Sequence, residues 1–287
     1  LCEIILRLLP ATFPAMRHRL YSFSCLFFSA TLMIGALPVS VQSSDLVPGW
    51  QQAKSYLYAD AQKTFAAASG QAGVNERERS LGEAISLINV QPKTQNTIQR
   101  ARFLLERVVQ ENDSDHAGIL ARYMTGRILE FHQQTPDPQG ASAIYRSLVE
   151  NHPGNPVAEF AASALATVEL YAPLSSEERA AKLRELEEIG PRLQTPAGRR
   201  DFHLALGAAS LALMNEPEST LKHLILADQN GITRPETESA VWIQIGEIAR
   251  RQGHAEIATE YYQKFLAKYL RNNASYTIRK RLEALQP

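Results

Sequence analysis

Residues able to do chemistry are spread thinly along this chain, and the clusters that occur fail on ligand count or spacing. Asp113-Ser114-Asp115-His116-Ala117-Gly118 opens with the alternating oxygen donors of a calcium loop. Its fifth position is Ala117 and its twelfth, where a bidentate glutamate must close the site, is Met124. The segment therefore reads as a helix cap. Glu177-Glu178 and Glu187-Glu188 offer paired carboxylates of the kind used in general acid and base catalysis. Glu178 with Lys182 and Arg184 with Glu188, however, have the spacing of ordinary ion pairs on a helix surface. The seven histidines, His18, His116, His132, His152, His203, His223 and His254, place no two ligands on one helix face. Zinc-protease spacings, phosphate loops, dinucleotide glycine fingerprints and nucleophile elbows are absent. Both cysteines, Cys2 and Cys25, precede everything else, so the rest of the chain has no thiolate chemistry and suits an oxidising compartment. The expectation is a non-enzyme with no catalytic residue, cofactor or metal.

The 287 residues carry 30 basic and 30 acidic side chains, a formal net charge of zero, and 45% are hydrophobic. That is the balance of a folded globular chain, without the basic field that displaces counterions from nucleic acid. No nucleic-acid partner is expected.

The amino terminus has the three parts of a secretory signal. Met16-Arg17-His18-Arg19 supplies positive charge, Leu26 through Leu37 an apolar core, and Pro38 with Val41-Gln42-Ser43 a small-residue exit. Cleavage after Ser43 and an exported, periplasmic or secreted protein are expected, with translation starting at Met16 and residues 1–15 an over-extended start. The alternative is a membrane anchor through residues 20–41, which is nearly long enough to span a bilayer. Lipidation at Cys25 is set aside because the apolar core follows the cysteine instead of preceding it.

From Val47 onward apolar residues recur at three- and four-residue spacing, which predicts helices throughout. Asp137-Pro138 and Asn155-Pro156 place a capping side chain before a proline, and Ser175 with Glu178 fits a capping box. Ser114 or Asp115 caps a further helix, and Gly70, Gly190 and Gly231 mark stops. The predicted helices run 47–69, 75–90, 94–112, 115–132, 138–151, 156–171, 176–189, 198–214, 217–229, 235–252, 254–270 and 274–285. Their short links favour antiparallel hairpins, and the fold class is all-α.

The hairpins are self-similar. Trp242-Ile243-Gln244-Ile245-Gly246 is followed by Gly253, Ala258 and Tyr262. Small Gly246 and Ala258 let two helix backbones approach, while Trp242 and Tyr262 fill the wedges beside them. A second copy reads Tyr123-Met124-Thr125-Gly126, Ala141, Tyr145, Leu148, Val149 and Pro153. A third has Leu206-Gly207 and Ser219, and a fourth has Leu81-Gly82 with Leu104 to Val109 as its second helix. This pattern resembles the tetratricopeptide repeat. The glycine spacings of 39 and 44 residues exceed the family period of roughly 34. Arg122 and His203 stand where the first aromatic belongs, and Leu270 replaces the closing proline.

The resemblance implies an antiparallel helix-hairpin solenoid with a right-handed superhelix. Its parts are an N-terminal helix at 44–72, two hairpins at 73–153, an irregular hairpin at 154–197, and two hairpins plus a capping helix at 198–287. It also implies a concave partner-binding groove flanking the repeat glycines. Carried over, the groove residues are Tyr123, Arg127, Glu130 and Phe131, then Leu204, Ala208, Leu211 and Ala212, then Ile243, Glu247, Arg250 and Arg251. The charged ones are expected to be exposed and the middle set apolar. The closing segment, 258–285, is similar to the ends of periplasmic envelope tetratricopeptide proteins. The resulting expectation is a protein-binding adaptor of the bacterial-type envelope, with a peptide or protein partner. The alternatives are the helical scaffold of a cell-wall lytic transglycosylase and a self-assembling structural subunit.

Overall fold

The structure, a computed structural model, describes residues 44–285. The predicted secretory signal, its alternative as an anchor, and both cysteines lie outside the described residues. Among the described residues there are thirteen α-helices and no strand. They are α1 (Val47–Lys54), α2 (Tyr58–Ala67), α3 (Glu76–Asn89), α4 (Gln95–Glu111), α5 (His116–Phe131), α6 (Pro138–Asn151), α7 (Pro156–Leu170), α8 (Ser176–Glu187), α9 (Pro196–Ala209), α10 (Pro217–Gln229), α11 (Pro235–Gln252), α12 (Ala255–Lys268) and α13 (Ser275–Glu283). A helix packs mainly against its neighbours in sequence, and α3 also meets α5. None of the described helices is long and apolar enough to cross a membrane.

The caps read from sequence are present. The Asp115 carboxylate accepts from Gly118 N at 2.8 Å, Asp137 accepts from Gly140 N at 2.8 Å, and Ser175 and Glu178 close a capping box. Gly231 and Gly253 adopt φ of +83°, the left-handed conformation that ends a helix without a Cβ penalty. Two helix predictions need correction. The helix expected over 47–69 breaks at Ser55–Leu57, where Tyr56 takes φ +62° and Leu57 N donates to Gln52 O at 2.9 Å. The helix expected over 198–214 begins at Pro196, and its last turn widens into a π-helical turn, Ser210–Met214, closed by Asn215 at φ +54°. An inserted residue accommodated this way re-aims the side chains beyond it.

The described residues form two compact units, 44–161 and 162–285, with the division inside α7. In the first unit α3 is the centre, with Glu78 through Ile88 all buried. Its buried polar groups are matched internally. Trp50 Nε1 donates to Glu78 at 2.9 Å, and Arg79 binds Glu83 at 2.6 Å, with Arg100 reaching Glu83 at 2.7 Å. In the second unit Ile245, Tyr262, Phe265 and Ile278 centre an apolar cluster drawn from α10, α11, α12 and α13.

Candidate functional site

In the first unit, α5 and α6 close on a glycine notch. A Cβ added to Gly126 would stand 2.5 Å from the Tyr145 ring, so only glycine lets that fully buried ring lie across α5. The Tyr145 hydroxyl donates to Glu130 at 2.9 Å, and Glu130 holds Arg127 at 3.1 Å. The Arg127 guanidinium lies 4.3 Å from the centre of the Phe131 ring, and Tyr123 packs beside Tyr145 with ring centres 5.7 Å apart. Burial pushes the Glu130 carboxyl above its ordinary range, against the pull of Arg127 and Tyr145. Beside this cluster, burial, with Lys93 and Arg127 nearby, lowers His132 to about 4.

The second unit repeats the construction in α11 and α12. Tyr262 is fully buried across Gly246, closer still than Tyr145 is to its glycine, and its hydroxyl donates to Glu247. Glu247 pairs with Arg250 at 3.3 Å and with Arg281 of α13 at 2.5 Å. Beside it, Asp228 at the end of α10 accepts from Trp242 Nε1 at 2.5 Å, from the Tyr261 hydroxyl at 3.1 Å and from Lys264 at 3.1 Å. Burial, then the Asp228 charge, raises the Tyr261 hydroxyl.

The predicted groove residues are therefore placed differently from the expectation of exposure. Tyr123 and Arg127 are buried, and the Glu130 and Glu247 side chains are only 9% and 13% exposed. These groups face their own hairpin because the tyrosine hydroxyl needs a buried acceptor and the acceptor needs a cation. Phe131 is half-buried. Leu204, Leu211 and Ile243 are half-buried against the apolar cluster of the second unit. The Arg250 side chain is 35% exposed, and Ala208 and Arg251 are exposed. Ala212, on the π-helical turn, is half-buried. In the fourth copy Gly82 and Leu104 lie on helices that pack together, α3 and α4, and the ring over Gly82 is Phe65 of the preceding α2, which also covers Gly49.

Two of the paired carboxylates make structural contacts. Glu178 closes the Ser175 cap, and Lys182 binds Glu185 at 2.6 Å and Glu169 at 3.5 Å instead of reaching Glu178. Glu187 reaches across to α10, where Lys222 Nζ binds it at 2.8 Å. A shallow open pocket of about 300 Å³ is lined by Leu183, Arg184, Glu187, Glu216, Glu218 and Lys222 among others. One arrangement escaped the sequence reading. His203 of α9 and His223 of α10 meet with Nδ1 atoms 3.2 Å apart, although no single helix face carries two histidines. The available signal was register: His203 lies four residues before Gly207 and His223 sixteen after it, as Trp242 and Tyr262 flank Gly246. Among the described residues no group of three or more histidines, carboxylates or cysteines is placed to hold a metal ion.

No family model, curated protein or solved structure matches the chain.

Proposed function

We propose that the chain is a non-catalytic protein-interaction scaffold, built as a tetratricopeptide-like solenoid and exported to the bacterial-type envelope. The observation that carries this reading is the repeated closure of a helix hairpin by a tyrosine over a glycine. It recurs at Gly126 with Tyr145 and at Gly246 with Tyr262. Hairpins built alike can stack, and stacked hairpins present first-helix side chains along an extended surface suited to a peptide or protein segment. The residues of the second unit available for such contact are Ala208, Arg251 and the outer part of Arg250, beside the apolar Leu204, Leu211 and Ile243. The apolar Leu204, Leu211 and Ile243 beside charged Arg250 and Arg251 support an extended protein ligand over a small molecule.

The test is capture of a partner from envelope extracts by the chain beginning at Ser44, compared with Ala208→Glu. Ala208 is exposed, so this substitution should leave the melt unchanged, within about 0.5 kcal/mol. Loss of capture with an unchanged melt supports the reading. Equal capture by both forms removes this surface, self-association alone makes the chain a structural subunit, and turnover of a glycan overturns the non-catalytic reading. Amino-terminal sequencing of the exported protein should find Ser44 first, and recovery of residues 20–41 in a membrane fraction would replace the soluble form with an anchored one.

A further inference from the structure

Each aromatic wedge position of the last hairpin, Trp242 and Tyr262, is a histidine in the hairpin before it. His203 and His223 meet edge to edge, with Nδ1 atoms 3.2 Å apart and ring centres 5.4 Å apart. That separation leaves room for one N–H···N bond along the line joining the rings. His223 is 1% exposed, and its Nε2 lies 3.0 Å from Glu187 Oε1 of α8, off the ideal hydrogen-bond direction. A carboxylate there favours the tautomer with the proton on Nε2, which leaves Nδ1 of His223 to accept from Nδ1–H of His203. His203 rests over Gly190, a position where a Cβ would stand 3.4 Å from its ring.

We propose that this histidine pair makes the α9–α10 hairpin an acid-opened joint, closed at neutral pH and released as the pair gains protons. One added proton is tolerated on the outer nitrogen of His203, because the N–H···N bond survives. A second must go to Nδ1 of His223, and then two N–H groups confront each other at 3.2 Å in a buried wedge. The unfolded hairpin takes up both protons freely, so acid favours opening. The charges facing the pair are Glu187 from α8, Arg199 from α9 and Lys222 from α10. Glu187 favours protonation, but Lys222 already occupies the same carboxylate oxygen, and both cations oppose a further positive charge. Burial dominates and lowers His223 to about 4, and it lowers His203 as well. A histidine depressed in the folded state contributes stability above its unfolded value, roughly 6.5, and loses it as pH falls toward the folded value.

The test is hydrogen exchange of the full chain between pH 7 and 4.5, corrected for intrinsic exchange, read separately over 196–229 and 235–268. Protection over 196–229 should fall by about tenfold per pH unit for each proton taken up, while 235–268 holds. The double variant His203→Phe with His223→Tyr restores an aromatic wedge and should abolish that fall. It should leave the acid response of the first unit, where burial also lowers His116, His132 and His152, unchanged. Should the double variant not fold, NMR titration of the wild-type imidazoles decides: two coupled steps, the second below about 5, support the joint. Independent titration of both rings near 6.5, or unchanged protection of 196–229 at pH 4.5, overturns it. Stabilisation by Zn²⁺ at neutral pH that disappears in His223→Tyr would make the pair a metal site and also overturns it.

Discussion

The hairpins α5–α6 and α11–α12 are built from the same parts with the charges in opposite order. In the first, the residue after the glycine is Arg127 and the acceptor of the tyrosine hydroxyl is Glu130, three residues on. In the second, the residue after the glycine is Glu247, which itself takes the hydroxyl, and Arg250 follows at the same interval. The geometry thus asks for a carboxylate beneath the tyrosine and a cation one turn away, and either order of the pair supplies them. Solvent separates the two. Arg127 and Glu130 are 11% and 9% exposed, whereas Arg250 is 35% exposed and Glu247 has a second cation, Arg281. An ion pair gains or loses value through its burial and its spare partners.

The largest effect should be common to both hairpins. Tyr145→Ala and Tyr262→Ala each remove a fully buried ring, leave a cavity over a glycine and should cost about 3–5 kcal/mol. Denaturant midpoints check this, and a Tyr262→Ala variant whose midpoint barely moves would break the equivalence. The arginines should then separate the pair. Arg127→Met strands a buried carboxylate and should cost about 3–5 kcal/mol. Arg250→Met leaves Glu247 with Arg281 and should cost less than about 1 kcal/mol. Equal losses in equilibrium unfolding would show that solvent exposure does not distinguish the two.

The smallest effect concerns pH. His132, lowered to about 4, takes up a proton in the unfolded chain before it does so in the folded one. Its contribution is full above roughly 6.5 and lost as pH falls from there toward 4. Glu130 has the opposite sign: raised by burial, it is relieved by protonation, so acid returns part of the stability that ionisation costs. Urea titrations at pH 7 and 5 should show that His132→Gln flattens the acid loss of the first unit. An unchanged pH slope would count against burial of that ring.

Helix positions were legible because caps, prolines and glycines act through neighbours close in sequence. Gly246 with Tyr262 was legible for a related reason: a missing Cβ on one helix and a large ring on the next are complementary shapes at a fixed interval. The break at Tyr56 was not, since neither glycine nor proline marks it, and its turn is held by the backbone bond from Leu57 to Gln52. Nor were the charged residues placed correctly. Arg127 and Glu130 have the spacing of a solvated surface pair, and only the hydroxyl of Tyr145, fifteen residues away, turns them inward. The histidine pair was hidden likewise, because its members belong to different helices.

The Phe65 ring lies over both Gly49 and Gly82 and meets Trp50 edge-on, with ring centres 5.1 Å apart. One side chain therefore joins α1, α2 and α3, and this decides where the polypeptide can be cut. A fragment starting at residue 75 would bare the notch at Gly82 and strip Glu78 of its indole donor, with Arg79 losing its contact to the Phe65 carbonyl. The helices before Gly70 are thus a foundation course and not a removable leader, and a proteolytic clip between residues 70 and 74 should leave two pieces that stay associated until the chain is denatured.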